Sequence, residues 1–267
     1  MAVSKNLERM IDANAPLWAG EAEVVRTYWD SPVRTRETDL LWMRRQCSKE
    51  FNGTGIGEYR NLGVFLGPLT EIGEVYPHID AGTDRHHVLG LIETLHDEFQ
   101  HYVLLADIHD AVRRPTDAPI AAHELETWPE DQALADLRHA HLREHGKLGK
   151  RACVFTEGGY CTLFREGRAL MGRGGIDDMI ATAFRRIYED EFGHILAGIV
   201  GLDAEGLADD QWALMERLTL EQLRQRILMR NAQFSLPLDA ARIEAIFAGD
   251  IEPIAFDFEK ASAELAA

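Results

Sequence analysis

Apolar residues recur every three to four positions along most of this chain, which is the period of a helix with one buried face. The pattern is most regular over residues 89–108 and 180–199, and it predicts a long helix at each place. Shorter stretches with the same period predict further helices at 5–14, 17–28, 35–51, 58–78, 130–145, 149–171, 208–233 and 237–247. The chain is therefore predicted to be all-α, with helices that pack on one another.

Proline and acidic residues indicate where several of these helices begin and end. Thr83 or Asp84 is the predicted N-cap of the first of the two long helices. Pro16 is placed in the first turn of the second short helix, where its missing N–H costs nothing. The three prolines within 114–129 predict a long connection, and residues from Pro253 onward are expected to form a partly ordered tail.

The two long helices contain nearly the same motif, Asp97-Glu98-Phe99-Gln100-His101 in the first and Asp190-Glu191-Phe192-Gly193-His194 in the second. Glutamate and histidine three positions apart lie on one face of a helix, so both side chains can reach one metal ion. A carboxylate oxygen and an imidazole nitrogen suit iron or manganese. One Glu-x-x-His pair is common on solvated helix faces, and a third copy, Glu93 to His96, is interpreted in that way. Two copies that share four residues in identical register indicate metal binding.

Two Glu-x-x-His pairs, each joined by a glutamate from a further helix, resemble the ligand set of ferritin-like di-iron and di-manganese carboxylate proteins. The aspartate before each glutamate resembles the oxygen-activating branch of that superfamily more than the storage ferritins. The resemblance covers about residues 58–200 and implies a four-helix bundle. The flanks, 1–57 and 203–267, are expected to add peripheral helices, so that residues 1–267 form a single ferritin-like domain.

The resemblance implies one isolated glutamate in the first bundle helix, over 58–78. Glu71 is expected to fill this role, since its separation from Glu98 suits the return of an antiparallel helix pair. Glu74 and Glu58 remain alternatives.

The other isolated glutamate implied by the resemblance is Glu157, which has apolar neighbours, whereas its alternative Glu166 lies in a more polar setting. Gly158-Gly159 costs about 1 kcal/mol per residue inside a helix, which indicates either a close helix crossing or space for dioxygen or a substrate. Cys161 is one turn beyond Glu157, where some bacterial hydroxylases of the superfamily place a small polar residue facing the dioxygen pocket. Cys161 is therefore a candidate catalytic residue. The complete expected ligand set is Glu71, Glu98, His101, Glu157, Glu191 and His194.

The aspartates of the motif point about 100° away from the neighbouring glutamates, towards an adjacent helix. A carboxylate there would accept the free N–H of a ligating histidine and fix its ring orientation. Asp97 is expected to serve His194, and Asp190 to serve His101.

Two other groups of polar residues receive less specific interpretations. His141 and His145 have metal-compatible spacing, but their charged neighbours favour a solvated helix face. Arg224, Arg226 and Arg230 are expected to pair with acids of this acidic chain, and an anionic substrate group is the alternative.

Composition narrows the range of functions. The chain of 267 residues carries a net charge of −17 without a basic run, which argues against nucleic acid or an anionic membrane surface as a partner. Cys47, Cys153 and Cys161 lack CxxC spacing, which excludes a rubredoxin-type iron centre and fits a reducing cytoplasm. The charged start of the chain does not fit a signal peptide, and no apolar run has membrane-spanning length. A cytoplasmic protein is expected.

The resemblance implies a non-haem di-iron oxygenase or oxidase, and aldehyde-deformylating oxygenases and di-iron hydroxylases or N-oxygenases are the nearest recognisable relatives. Two iron ions are expected, with manganese as the alternative metal, and dioxygen would be a co-substrate. The expected partners are a small organic substrate, an external electron donor such as a ferredoxin or a flavin reductase, and a second copy in a homodimer. Two rival functions are a ferroxidase or other iron-handling protein, and a helical interaction module without a metal.

Overall fold

A computed structural model describes residues 3–52, 65–125 and 127–264, and within these ranges the chain forms helices and loops but no strand. The helices are α1 (Lys5–Asp30), α2 (Arg36–Asn52), α3 (Leu66–Val75), α4 (Arg85–Val112), α5 (Pro129–His145), α6 (Lys147–Phe155), α7 (Thr162–Gly167), α8 (Gly175–Val200), α9 (Asp209–Gln233), α10 (Ala240–Phe247) and α11 (Phe258–Glu264). The all-α prediction is confirmed, whereas the ferritin-like four-helix bundle stays a prediction. None of the described helices is both long and apolar enough to cross a membrane.

The chain divides into two compact units, and the single ferritin-like domain over residues 1–267 stays a prediction. The larger unit contains Met1–Thr38 and Trp128–Ala267, and the smaller unit contains Asp39–Thr127. The two copies of the Asp-Glu-Phe-x-His motif lie in different units, since α4 belongs to the smaller unit and α8 to the larger one.

In the smaller unit, α2 and α4 run antiparallel. The ring of Phe51, near the end of α2, lies 5.6 Å from that of Tyr102. Earlier in α2, Arg44 is close enough to His109 to lower the pKa of that imidazole, in addition to the effect of burial. The carboxylate of Asp84 accepts a hydrogen bond of 2.9 Å from the backbone N–H of His86, which confirms the predicted N-cap of α4.

The core of the larger unit is built around Trp18 of α1, which is fully buried. Its ring stacks on Tyr160 at 4.9 Å, on Phe155 at 6.0 Å and on Phe256 at 6.2 Å. The hydroxyl of Tyr160 accepts a hydrogen bond of 2.9 Å from the backbone N–H of Asp257. The residues after Pro253 are therefore anchored in the core, and α11 follows them where only a partly ordered tail was expected.

Helix α1 is continuous through Pro16, so the prediction of two short helices is wrong. An interior proline removes one helical hydrogen bond and costs about 3 kcal/mol. Met10 and Ile11 before Pro16, and Leu17 and Trp18 after it, are all buried in the same core. Burial on both sides of the proline offsets its local cost, and this tertiary effect is not visible in the local pattern.

The single helix predicted over 149–171 is also wrong, because the chain leaves the helical conformation between α6 and α7. Gly158, Gly159, Tyr160 and Cys161 all have a positive φ, between 54° and 63°. Each of the two non-glycine residues costs on the order of 1 kcal/mol in this conformation. The strained turn brings the Tyr160 ring onto Trp18, so core packing overrides the helical pattern.

A buried ion cluster joins α1 and α9. The Glu21 carboxylate accepts hydrogen bonds of 2.8 Å from Arg226 and 2.9 Å from Arg230, and the three side chains are at most 6% exposed. The prediction that these arginines pair with an acid is confirmed. Arg224 instead donates to the backbone carbonyl of Phe247 at 3.4 Å.

His141 is 5% exposed, so its assignment to a solvated helix face is wrong. Its Nε2 donates to Glu221 at 3.0 Å, and its Nδ1 accepts from the Gln222 amide at 3.0 Å. Both ring nitrogens are used in structural hydrogen bonds between α5 and α9.

Candidate metal centre

Glu98 and His101 of α4 lie beside Glu50 of α2 in the smaller unit. One ligand atom from each of the three side chains lies within 4.8 Å of the other two. His101 is 1% exposed, and both glutamates are partly buried. The helical spacing of Glu98 and His101 places them together as predicted, and the antiparallel partner helix supplies the third donor.

The donor set fits a divalent ion of the iron or manganese type. With metal–ligand bonds of 2.0–2.2 Å, two donors of one ion lie at most about 4.4 Å apart. Small side-chain movements would therefore close this group around an ion. Two carboxylates balance a charge of +2, and a neutral imidazole completes a set that suits iron or manganese. Three protein ligands leave coordination positions open, as catalytic metal sites do.

Neighbouring residues of α2 and α4 orient one of the donors and hold the two helices together. Gln46 is 5% exposed and lies one turn before Glu50 on α2. Its amide donates to Glu50 Oε1 at 2.6 Å, so the carboxylate is held in one orientation. Three aromatic residues follow the three donors directly in sequence, and their rings contact one another: Phe51 on Tyr102 at 5.6 Å, and Phe99 on Tyr102 at 5.7 Å. The contact between Phe51 and Tyr102 holds α2 against α4.

The buried thiol of Cys47 is one turn from Glu50 but is not part of this donor group. Burial raises its pKa, and the negative charges of Glu50 and Asp110 raise it further.

The structure does not bring Glu71, the expected ligand of the first bundle helix, into this group. Its carboxylate is 47% exposed and pairs with Nε2 of His87 at 2.7 Å. Glu74 is exposed, and Glu58 lies outside the described residues. Sequence reasoning missed Glu50 because α2 was assigned to the periphery. The helical register contained a usable signal, since Glu50 lies on the same face as the buried residues Met43 and Cys47.

The two aspartates of the motif have identified neighbours within their own units. Asp97 is 41% exposed and hydrogen-bonds Nδ1 of His96 at 3.0 Å. Asp190 is 18% exposed and pairs with Arg186, one turn earlier, at 3.3 Å. The expected pairs Asp97–His194 and Asp190–His101 each link the two units, and they stay predictions.

The second motif copy, in α8, is more open. Glu191 is partly buried and His194 is exposed. The ligand atoms of Glu157, Glu191 and His194 do not come within 4.8 Å of one another as a group. Although Glu157 retains accessible surface, the protein atoms around its carboxyl group raise its pKa, and Arg138 and Arg226 offset only part of this effect. These two cations also weaken the attraction of a metal ion to Glu157.

The expected pocket beside Gly158 and Gly159 is wrong. A Cβ atom on Gly158 would lie 2.3 Å from Ile195, and one on Gly159 would lie 1.9 Å from Glu21, so neighbouring side chains fill this space. The glycines serve the strained turn, not a helix crossing. Cys161 is fully buried beyond that turn, and it therefore does not share a helix face with Glu157, as its catalytic assignment required.

Comparison with protein-family models, with curated proteins and with solved structures gives no match to this chain. The observations that bear on function are therefore the three donors of α2 and α4 and the second motif copy in α8.

Proposed function

We propose that this protein is a non-haem iron oxygenase or oxidase in which Glu50, Glu98 and His101 hold an iron ion. The observation that carries the proposal is the convergence of these three donors from two helices, with their ligand atoms within 4.8 Å of one another. Glu98 and His101 belong to a motif that the chain repeats almost unchanged, which supports a chemical role for the pair.

Each of these residues of the smaller unit has its own role at such a site. The two carboxylates neutralise the ion, and the buried imidazole binds it without adding charge. Gln46 orients Glu50. Bound iron would supply electron transfer to dioxygen, and a small organic substrate and an external electron donor complete the proposed reaction. Manganese is the alternative metal, because it takes the same ligands.

A second ion held by Glu191 and His194, together with Glu157, is part of the proposal, as the resemblance to ferritin-like di-iron proteins implies. The same resemblance supports a ferritin-like bundle as the finer description of the fold. Arg138 and Arg226 act on Glu157 with positive charge. We therefore expect the two copies of the motif to bind metal with unequal affinity, the α8 copy more weakly than the α4 copy.

Anaerobic titration with Fe(II) or Co(II) tests the metal site. The wild-type protein is expected to bind one ion tightly and a second one less tightly. His101→Ala should weaken the tighter binding by on the order of 100-fold or more, since even the loss of a residue that orients a ligand costs 10–100-fold. His96→Ala is the matched control, because His96 is the exposed histidine of the third Glu-x-x-His pair on the same helix. Wild-type protein that binds neither metal would overturn the proposal.

The fate of dioxygen separates the proposed oxidoreductase from an iron-handling protein. Iron-loaded protein is expected to consume dioxygen repeatedly when a reductant is supplied, while its bound iron stays constant. A ferroxidase would instead oxidise added Fe(II) and accumulate ferric iron far beyond two ions per chain. That second result would replace the proposed function with iron storage.

A further inference from the structure

One side of α4 carries large apolar residues that are exposed. Leu89 is 48% exposed, Ile92 51%, Phe99 46% and Val103 37%, and the exposed His96 lies between them. We call these five residues the α4 stripe. The buried residues His101, Leu105 and Ile108 of the same helix lie on the opposite side. Helix α4 is thus apolar on its outer face as well as on its inner face.

The spacing of the stripe is that of a helix that pairs with another helix. Its members follow one another at intervals of three, four, three and four residues. This average of 3.5 keeps a row of side chains facing a partner helix. Single exposed apolar residues need no explanation, but a contiguous row of them marks an interaction surface.

The stripe is also symmetric about His96 to within one residue. Leu89 and Val103 lie seven residues before and after it, and Ile92 and Phe99 lie four before and three after it. An antiparallel copy of the same helix that crosses at His96 therefore places Leu89 opposite Val103, and Ile92 within one residue, or about 1.5 Å, of Phe99. The paired length is about 21 Å, at 1.5 Å per residue.

The polar residues beside the stripe match the same antiparallel arrangement. Glu93 would lie opposite Gln100 of the second copy, and His86 opposite Asp107. No acid faces another acid, which matters for a chain with a net charge of −17. A parallel arrangement would place Glu93 next to Val88 and would lose both polar pairs.

We propose that the α4 stripe joins two copies of this chain in an antiparallel homodimer whose helices cross at His96. The donors Glu98 and His101 point more than about 100° away from the stripe. Dimer formation therefore does not involve the candidate metal ligands, and the proposal is independent of the proposed function.

The mass of the protein in solution, measured by light scattering and by sedimentation at micromolar concentrations, tests the dimer. Ile92→Glu would place a carboxylate against Phe99 twice in each dimer, and it is expected to weaken association by about 100-fold or more. Met179→Glu is the matched control, since Met179 is an exposed apolar residue of α8, and it should leave the dimer intact. A wild-type monomer at all these concentrations would overturn the proposal, as would a wild-type chain that associates only with a different protein.

Disulfide formation tests the crossing point. The three native cysteines are buried, so His96→Cys introduces an exposed thiol that is expected to link two chains under mild oxidation. Thr94→Cys is the control, because Thr94 is exposed on the other side of α4 and should give no linked dimer. A dimer that survives Ile92→Glu and does not link through position 96 would refute this interface.

Discussion

Glu21→Gln is expected to lower the free energy of unfolding by about 3–5 kcal/mol, although it changes the side chain's shape very little. The wild-type carboxylate is 1% exposed and neutralises Arg226 and Arg230 at 2.8 Å and 2.9 Å. A third buried guanidinium, that of Arg138, is near enough to Arg226 for the two positive charges to repel each other. The neutral amide of the introduced glutamine would remove the negative charge that Arg226 and Arg230 share. Buried charges that lose their partner destabilise the folded state by the amount given above.

Glu23→Gln is the matched control, since Glu23 lies two residues further along the same helix. Its carboxylate accepts two hydrogen bonds from Arg242, at 2.6 Å and 2.7 Å. These side chains are 21% and 32% exposed, so water screens the pair, and the expected loss is below about 1 kcal/mol. Urea denaturation of both variants measures the difference. Equal losses for the two variants would refute the argument that burial decides the energy.

The same measurement at low pH tests the electrostatic cause. Burial alone would raise the pKa of Glu21, but Arg226 and Arg230 more than offset it, so the pKa is lowered in the folded protein. The stabilisation is therefore complete above the unfolded value of about 4.5, and it is lost as the pH falls through the folded value. The wild type and Glu21→Gln should approach equal stability in strong acid. A constant gap at every pH would point to packing instead of charge.

Two further substitutions test the candidate metal site and a buried histidine. Gln46→Leu removes the hydrogen-bond donor to Glu50 and should weaken Fe(II) or Co(II) binding by about 10–100-fold in a chelator competition. Gln132→Leu is the control, because it removes a similar hydrogen bond on α5 and should leave the metal affinity unchanged. An unchanged metal affinity in Gln46→Leu would contradict the role of Gln46 in orienting Glu50. Burial lowers the pKa of His141, and the hydrogen bond to Glu221 offsets this only in part, so the neutral ring is favoured in the folded state. The contribution of His141 to the free energy of unfolding should decline as the pH falls below about 6.5. Urea denaturation at several pH values should show a smaller decline for His141→Gln than for the wild type. Equal declines in the two proteins would contradict the argument.

Helix positions were the most predictable part of the fold. In the long helices α4, α8 and α9, the spacing of apolar residues alone predicts the helix, and the helix ends agree with the expectation within a few residues. The failures at Pro16 and at Tyr160 have a common cause. In both places, packing around Trp18 decides the backbone conformation, and the residues concerned come from distant parts of the chain.

The candidate site was predictable only as far as one helix determines it. Glu98 and His101 are three residues apart, so helix geometry alone brings them together. Glu71 was chosen from a distance along the chain, and such distances do not specify which helix is the neighbour. Glu50 is a ligand candidate because α2 lies against α4, and that contact depends on aromatic pairs such as Phe51 and Tyr102.

The two copies of the motif differ in the surroundings of their repeated phenylalanine. Phe99 is 46% exposed and contacts Phe65 and Tyr102, whereas Phe192 is 4% exposed and packs between Tyr160 and Tyr188. The repeated phenylalanine therefore fills two different environments, and a common packing requirement does not account for the repeat. Glutamate and histidine three positions apart have the same relative geometry wherever the backbone is helical. The proposed function accounts for the repeat by a ligand spacing that is the same in both environments.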